Sequence, residues 1–222
     1  MYRLIFAILL GVAALTAAIP PTPVSAQDTG FTPKSAGTFM VRLRGIGVIA
    51  DGEGDVLAGG AQTGEITDVD NSAAGEIDLS YFFTDNIAAE LIAGTVKHDV
   101  SSTPALNADL GEVWLLPPTL TLQYHFRPKQ RFSPYLGAGV NYTLFYNAER
   151  GDAASINYDD SFGAALQAGA DYAITERWGL NLDVKRLFLD VDVDLTVPGL
   201  GPLSADVDVD PWIVGAGISY KF

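Results

Sequence analysis

His98, Asp99, Ser101 and Ser102 are the residues whose types could run an acyl-transfer reaction, with the imidazole as general base and a serine hydroxyl as nucleophile. They lie next to one another in the chain, whereas working sets of this kind are assembled from separate elements by the fold. Loops are rich in Ser and Asp in any case, so a rim-located acyltransferase-like enzyme is the least favoured reading and no enzymatic activity is expected. A second group sits near the end of the chain, where Asp190, Asp192 and Asp194 alternate with valines and Asp206, Asp208 and Asp210 do the same. Carboxylates on facing arms of a hairpin have the oxygen chemistry that Ca²⁺ takes and could bridge to lipid phosphates. The spacing lacks the glycine and terminal glutamate of an EF-hand loop, and the other account is a solvated acidic face that discourages edge pairing.

Other chemistry is excluded more simply. Gly137 with Gly139, and Gly215 with Gly217, lack the third glycine and following helix of a dinucleotide fingerprint. The chain has no cysteine, which removes disulfides and thiolate metal sites. A formal net charge of −14 argues against nucleic acid as a partner. No metal or cofactor is expected.

The elements that must carry these residues are strands. Arg3, an apolar run from Leu4 to Ile19, then Pro20 to Ala26 predict a signal peptide over 1–26, cleaved after Ala26. Residues 27–37 are expected to be an N-terminal periplasmic segment and 38–222 an eight-stranded barrel. After residue 27, period-two alternation recurs and long apolar stretches do not. From Trp212, one face reads Trp212, Val214, Ala216, Ile218, Tyr220 and Phe222, and the other Ile213, Gly215, Gly217, Ser219 and Lys221. Seven further segments repeat the pattern, with a blur near Arg186 that suggests a bulge. Short connections at 84–85, 127–133 and 173–177 alternate with long ones at 51–72, 99–111, 148–156 and 193–206. Tyr81, Phe83, Tyr124, Phe126, Tyr172, Trp178, Tyr220 and Phe222 then gather at the short-turn rim as an aromatic girdle. Alternation alone also fits a soluble lipocalin-like barrel or a β-sandwich. The opposite face is dense in Gly and Ala with single charges, which suits a cramped lumen better than a wet surface. The expected fold is therefore all-β, an eight-stranded antiparallel transmembrane β-barrel in the bacterial outer membrane, in contact with lipid and lipopolysaccharide.

The stretch Trp114, Leu115, Leu116, Pro117, Pro118, Thr119, Leu120 and the stretch from Pro134 to Tyr142, taken with the end from Asp210 through Phe222, closely resemble the outer membrane protein W (OmpW) family. The match covers most of the second half of the chain. It implies an eight-stranded barrel with a hydrophobic channel for small apolar compounds. Ile218, Tyr220 and Phe222 also look like the terminal signal read by the barrel-assembly machinery, which makes that machinery and periplasmic chaperones expected partners.

An eight-stranded barrel is about wide enough to be filled by its own side chains. Ranked by height, the inward residues of the lower half include Arg42, Arg44, Asp78, Glu90, Gln123, Asp171, Asp183, Lys185 and Lys221. Opposite charges in so narrow a space should pair and block passage. His125, near the same rim, reads as a polar lumen residue. Higher up, Ile46, Val48, Ile92, Val96, Trp114, Leu116 and Phe145 are expected to line an apolar funnel. Pro117 and Pro118 lack the N–H that a ladder needs, so they either open a lateral gate between strands or merely end a strand at the membrane surface. The functional expectation is uptake of small hydrophobic solutes. The alternative is a surface interaction or receptor barrel whose acidic extracellular loops bind a partner.

Overall fold

The structure, a computed structural model, describes residues 30–49, 52–58, 61–69, 71–102, 109–149, 154–197 and 201–222. The expected signal peptide and its cleavage after Ala26 lie outside the described residues. The strands are β1 (Phe39–Ile49), β2 (Gly52–Ala58), β3 (Ala61–Val69), β4 (Ser72–Phe82), β5 (Ile87–Gly94), β6 (Val96–Ser102), β7 (Asp109–Leu116), β8 (Thr119–His125), β9 (Phe132–Tyr146), β10 (Ser155–Tyr158), β11 (Ser161–Ala173), β12 (Trp178–Val197), β13 (Gly201–Val209) and β14 (Trp212–Lys221). Several are consecutive lengths of one stave. β1 with β2, β3 with β4, β5 with β6, β7 with β8, β9, β10 with β11, β12, and β13 with β14 make eight staves. Each pairs antiparallel with the next, and the last returns to the first through Met40↔Lys221 to Ile49↔Trp212. Within the lipid-facing band each stave is paired on both sides, the condition for crossing lipid with strands, and only β10 above it has a single partner among the described residues.

Local chemistry sets the short turns. Thr84 Oγ1 accepts from the backbone N–H groups of Asn86 (3.2 Å) and Ile87 (2.9 Å), and Thr175 Oγ1 accepts from Trp178 N at 3.0 Å. These hydroxyls take up donors that the hairpin leaves unpaired, which is why Thr begins both turns. Along the staves every second residue points outward, and those residues are apolar: Leu43, Leu79, Leu91, Leu122, Leu136, Leu166, Leu182 and Ile218 are all exposed. In water such a surface would far exceed the apolar patch a soluble monomer tolerates. Aromatic rings mark its lower border, with Tyr81–Phe83, Tyr124–Phe126, Trp178–Tyr220 and Tyr220–Phe222 centroids 4.8–5.4 Å apart. Tyr and Trp rings with one wet edge settle at a lipid–water interface, so these pairs form the expected girdle.

Three expectations need correction. The first two long connections are largely strand, β2 pairing with β3 and β6 with β7, so the barrel wall continues above the lipid band as it does in the acidic hairpin expected at the fourth, where β12 pairs with β13 from Leu189↔Val209 to Val197↔Gly201. No bulge occurs at Arg186, because β12 keeps one register with β14 and then β13. Arg186 simply points outward at the upper border, 3.0 Å from Asp210 and over the rings of Phe188 and Trp212, a placement that lets its charge reach the interface.

The third correction concerns Trp114 and Leu116. Trp114↔Tyr146 and Thr119↔Asn141 belong to one unbroken register against β9, so the two prolines interrupt hydrogen bonds without inserting a residue. Side-chain parity therefore runs straight through them. Trp114 and Leu116 share the side of Leu120 and Leu122, and Trp114 is exposed beside Tyr146. Val113 and Leu115 are the inward residues of β7.

Candidate functional site

The lower interior is a closed polar network. Arg44, on β1, is its hub, with ion-pair distances of 3.0 Å to Glu76, 2.7 Å to Asp78, 3.3 Å to Glu90 and 3.2 Å to Asp183. Arg42 pairs with Glu90 and, at 2.8 Å, with Asp171, and its guanidinium lies over the Tyr135 ring. Lys185 closes the top of the network on Glu76 at 2.6 Å. Neutral groups complete it: Gln123 Nε2 and Gln167 Nε2 donate to Glu90 Oε1, and Tyr135 Oη donates to Asp183 Oδ2 at 2.7 Å. The six residues read from sequence as an ionic plug, Arg42, Arg44, Asp78, Glu90, Asp183 and Lys185, are all buried here within a single network.

Sequence reading missed Glu76, Gln167 and Lys34. Glu76 carries the same parity as Asp78, so alternation could have found it. Lys34 has no such signal, because it precedes the first strand. Its ammonium reaches up from the N-terminal segment to Asp171 Oδ2 at 2.6 Å, Ser133 Oγ at 3.0 Å and His125 Nδ1 at 3.0 Å. With Nδ1 accepting, His125 Nε2–H is left to donate to Gln123 Oε1 at 3.1 Å. The segment is held across the opening by Lys34 N donating to Pro128 O (3.0 Å), by Thr32 N donating to Glu176 O (3.3 Å) and by Lys221 Nζ donating to Thr32 O. Ala36 N donates to Asp85 Oδ1, and this bond, helped by Lys129, holds the Asp85 carboxyl below its ordinary pKa.

Above the network lies an apolar cavity of about 120 Å³. Ile46, Val48, Ile92, Val96 and Phe145 line it as expected, and Val113 and Leu115 take the places expected of Trp114 and Leu116. Valines and leucines of β12, among them Leu189, Val191 and Val193, complete the wall, while Glu76 and Lys185 form its floor. Near the top, Tyr158 of β10 stacks on Phe145 with ring centroids 5.6 Å apart and planes at 16°. Burial pushes the Tyr158 hydroxyl up to a pKa of about 12, so it keeps its proton at neutral pH.

Pro117 lines the cavity as well. Toward β9 the proline carbonyls are used: Tyr142 N donates to Pro118 O at 3.0 Å and Asn141 Nδ2 to Pro117 O at 3.2 Å. Toward β5 and β6 the ladder stops at Ile92↔Thr119 and resumes at Val96↔Leu115. The wall is thus unbonded beside Gly94 and Thr95, at the level of the cavity.

Of the residues considered for acyl-transfer chemistry at the outer rim, only the His98 side chain is described. His98 is buried on the cavity wall with Nε2 3.5 Å from Ser72 Oγ, and the side chains of Asp99, Ser101 and Ser102 lie outside the described residues. Asp190, Asp192 and Asp194 point away from the interior. Among the described residues, no three His, Asp or Glu side chains are gathered as a metal ion would require.

A closed antiparallel barrel with a greasy outer band, an ion-paired floor and an apolar upper chamber defines a small transmembrane barrel of the bacterial outer membrane. Known proteins agree. The chain is 43% identical to the outer-membrane protein y4mB of Sinorhizobium fredii, over 96% of this chain and 90% of that one. It is 31% identical to outer membrane protein W of Vibrio cholerae, over 94% of this chain and 96% of that one. The crystal structure of outer membrane protein OprG from Pseudomonas aeruginosa superposes with a TM-score of 0.80 at 31% identity, covering 86% of this chain and 99% of that one. The OmpW family model matches residues 35–222, and the chain belongs to that family.

Proposed function

We propose that the barrel takes up small apolar molecules from outside the cell and releases them sideways into the outer membrane. The observation that carries this reading is the apolar cavity standing directly on the Glu76–Lys185 pair. A molecule held among Ile46, Val48, Ile92, Val96, Val113, Leu115 and Phe145 has no way down, because parting buried ion pairs costs several kcal/mol or so. The unbonded wall beside Pro117 and Pro118 is the exit that needs no ion pair to part. On this reading these two prolines form a lateral gate, while lipopolysaccharide and lipid surround the barrel. Ile218, Tyr220 and Phe222, outward at the end of β14, serve as the assembly signal for the insertion machinery.

Uptake of a hydrophobic solute by cells whose outer membrane carries the wild-type barrel or the Pro117→Thr, Pro118→Thr double variant tests the gate. Restored N–H donors should close the ladder and slow uptake with the fold unchanged; undiminished uptake would refute lateral release. Making Val113 and Phe145 polar should abolish binding of a small hydrophobic solute to the purified barrel, and undiminished binding would count against the cavity as the binding place.

A further inference from the structure

We propose that Tyr158 is a specificity-determining residue: its hydroxyl donates to an oxygen acceptor on the solute, so the chamber selects apolar molecules that carry one carbonyl-type oxygen over pure hydrocarbons. The inference rests on the uptake reading and names the substrate class of that same cavity. Of the other polar side chains that line the chamber, Thr95 is exposed and the rest have partners. Thr119 Oγ1 donates to Pro117 O at 3.1 Å, Thr143 Oγ1 donates to Asn141 Oδ1 at 2.7 Å, and Glu76 pairs with Lys185. His98 has Ser72 within 3.5 Å. Tyr158 is different: its hydroxyl is buried from solvent and has no hydrogen-bond partner among the described residues.

A buried donor without an acceptor is costly, and the stack on Phe145 keeps the ring from swinging out to reach water. On the opposing register position is Val193, and the cavity wall beside it is Val191 and Leu189, none of which offers a side-chain acceptor. A solute oxygen that enters the chamber meets that donor in apolar surroundings, where a hydrogen bond is strongest. Size limits the solute too. Apolar cavities of about 150 Å³ accept benzene, so a chamber of about 120 Å³ fits a ring of roughly that size or smaller.

The test compares cyclopentanone with methylcyclopentane, two probes of equal heavy-atom count and of the size of a benzene ring. Each is equilibrated with the full barrel in lipid nanodiscs and with protein-free nanodiscs, and the excess bound is measured by headspace gas chromatography. Tyr158→Phe keeps the ring and its stack while deleting the hydroxyl. We expect the ketone-over-alkane preference to fall roughly 3- to 10-fold in the variant, the equivalent of one net hydrogen bond, with alkane binding undiminished. Equal preference in both proteins, with both probes bound, would overturn the role of Tyr158 and leave apolar uptake standing. Binding of neither probe above protein-free nanodiscs would overturn both. Should the variant not fold, the infrared carbonyl band of cyclopentanone in the wild-type barrel decides: a shift to lower frequency relative to protein-free nanodiscs supports the bond, and no shift refutes it.

Discussion

Replacing Arg44 with Met tests whether the floor of the barrel is a dry, ion-paired partition. Arg44 is buried among four carboxylates, those of Glu76, Asp78, Glu90 and Asp183, at 2.7–3.3 Å. Three of these retain a cationic or hydrogen-bonding partner when Arg44 is lost: Glu76 keeps Lys185, Glu90 keeps Arg42, and Asp183 keeps the Tyr135 hydroxyl. Asp78 pairs with Arg44 alone among the described residues. Removing one member of a buried pair leaves an uncompensated charge and costs about 3–5 kcal/mol. Taking away the stranded carboxylate as well, in an Arg44→Met, Asp78→Leu double variant, should recover about 1–3 kcal/mol of that loss, a coupling of the size seen for residues in one network. The assay is reversible urea unfolding of the barrel in lipid vesicles, with folded and unfolded forms separated by gel mobility and stability obtained by linear extrapolation. If Arg44→Met costs less than about 1 kcal/mol, or if the two substitutions simply add, the charges are solvated and the floor is a wet pore.

Gly139→Ala should abolish or strongly reduce the folded, heat-modifiable form on gels, because a Cβ there would overlap the Leu120 carbonyl oxygen and come within 2.7 Å of Thr121 Cα, both of them backbone that cannot step aside. Acidification should loosen the N-terminal segment at Asp85. Its carboxyl titrates lower in the folded protein than in the unfolded chain, so its contribution is complete above the unfolded value of about 3.9 and disappears as pH falls through the folded one. The protection of Ala36 N–H, its exchange rate measured against the intrinsic rate at the same pH, should therefore fall in acid, and Asp85→Asn should bring the lower protection to neutral pH. Lys34→Met should raise ion leakage through the short-turn mouth in planar bilayers, since Asp171, Ser133 and His125 then lose the ammonium that joins them.

The alternation of residue types by itself marks the strands and gives each two faces; with the Gly- and Ala-rich charged face and the aromatic rim it points to a closed antiparallel barrel in lipid, with charges low and apolar residues high. Strand parity is local, so it can be read wherever the register is regular. The expectation departs from the structure at Trp114 and Leu116, placed inward although their parity is that of the outward Leu120 and Leu122, and at Arg186, where no bulge occurs. Only the pairing with β9 shows that the count of residues is preserved and that Val113 and Leu115, rather than Trp114 and Leu116, look inward. Tertiary structure alone decided the rest: which carboxylate each arginine finds across the barrel, that Lys34 closes the floor from outside the strand pattern, and that Tyr158 is left without an acceptor. These depend on distances between residues far apart in the chain, and a pattern of types along the chain carries no such distances.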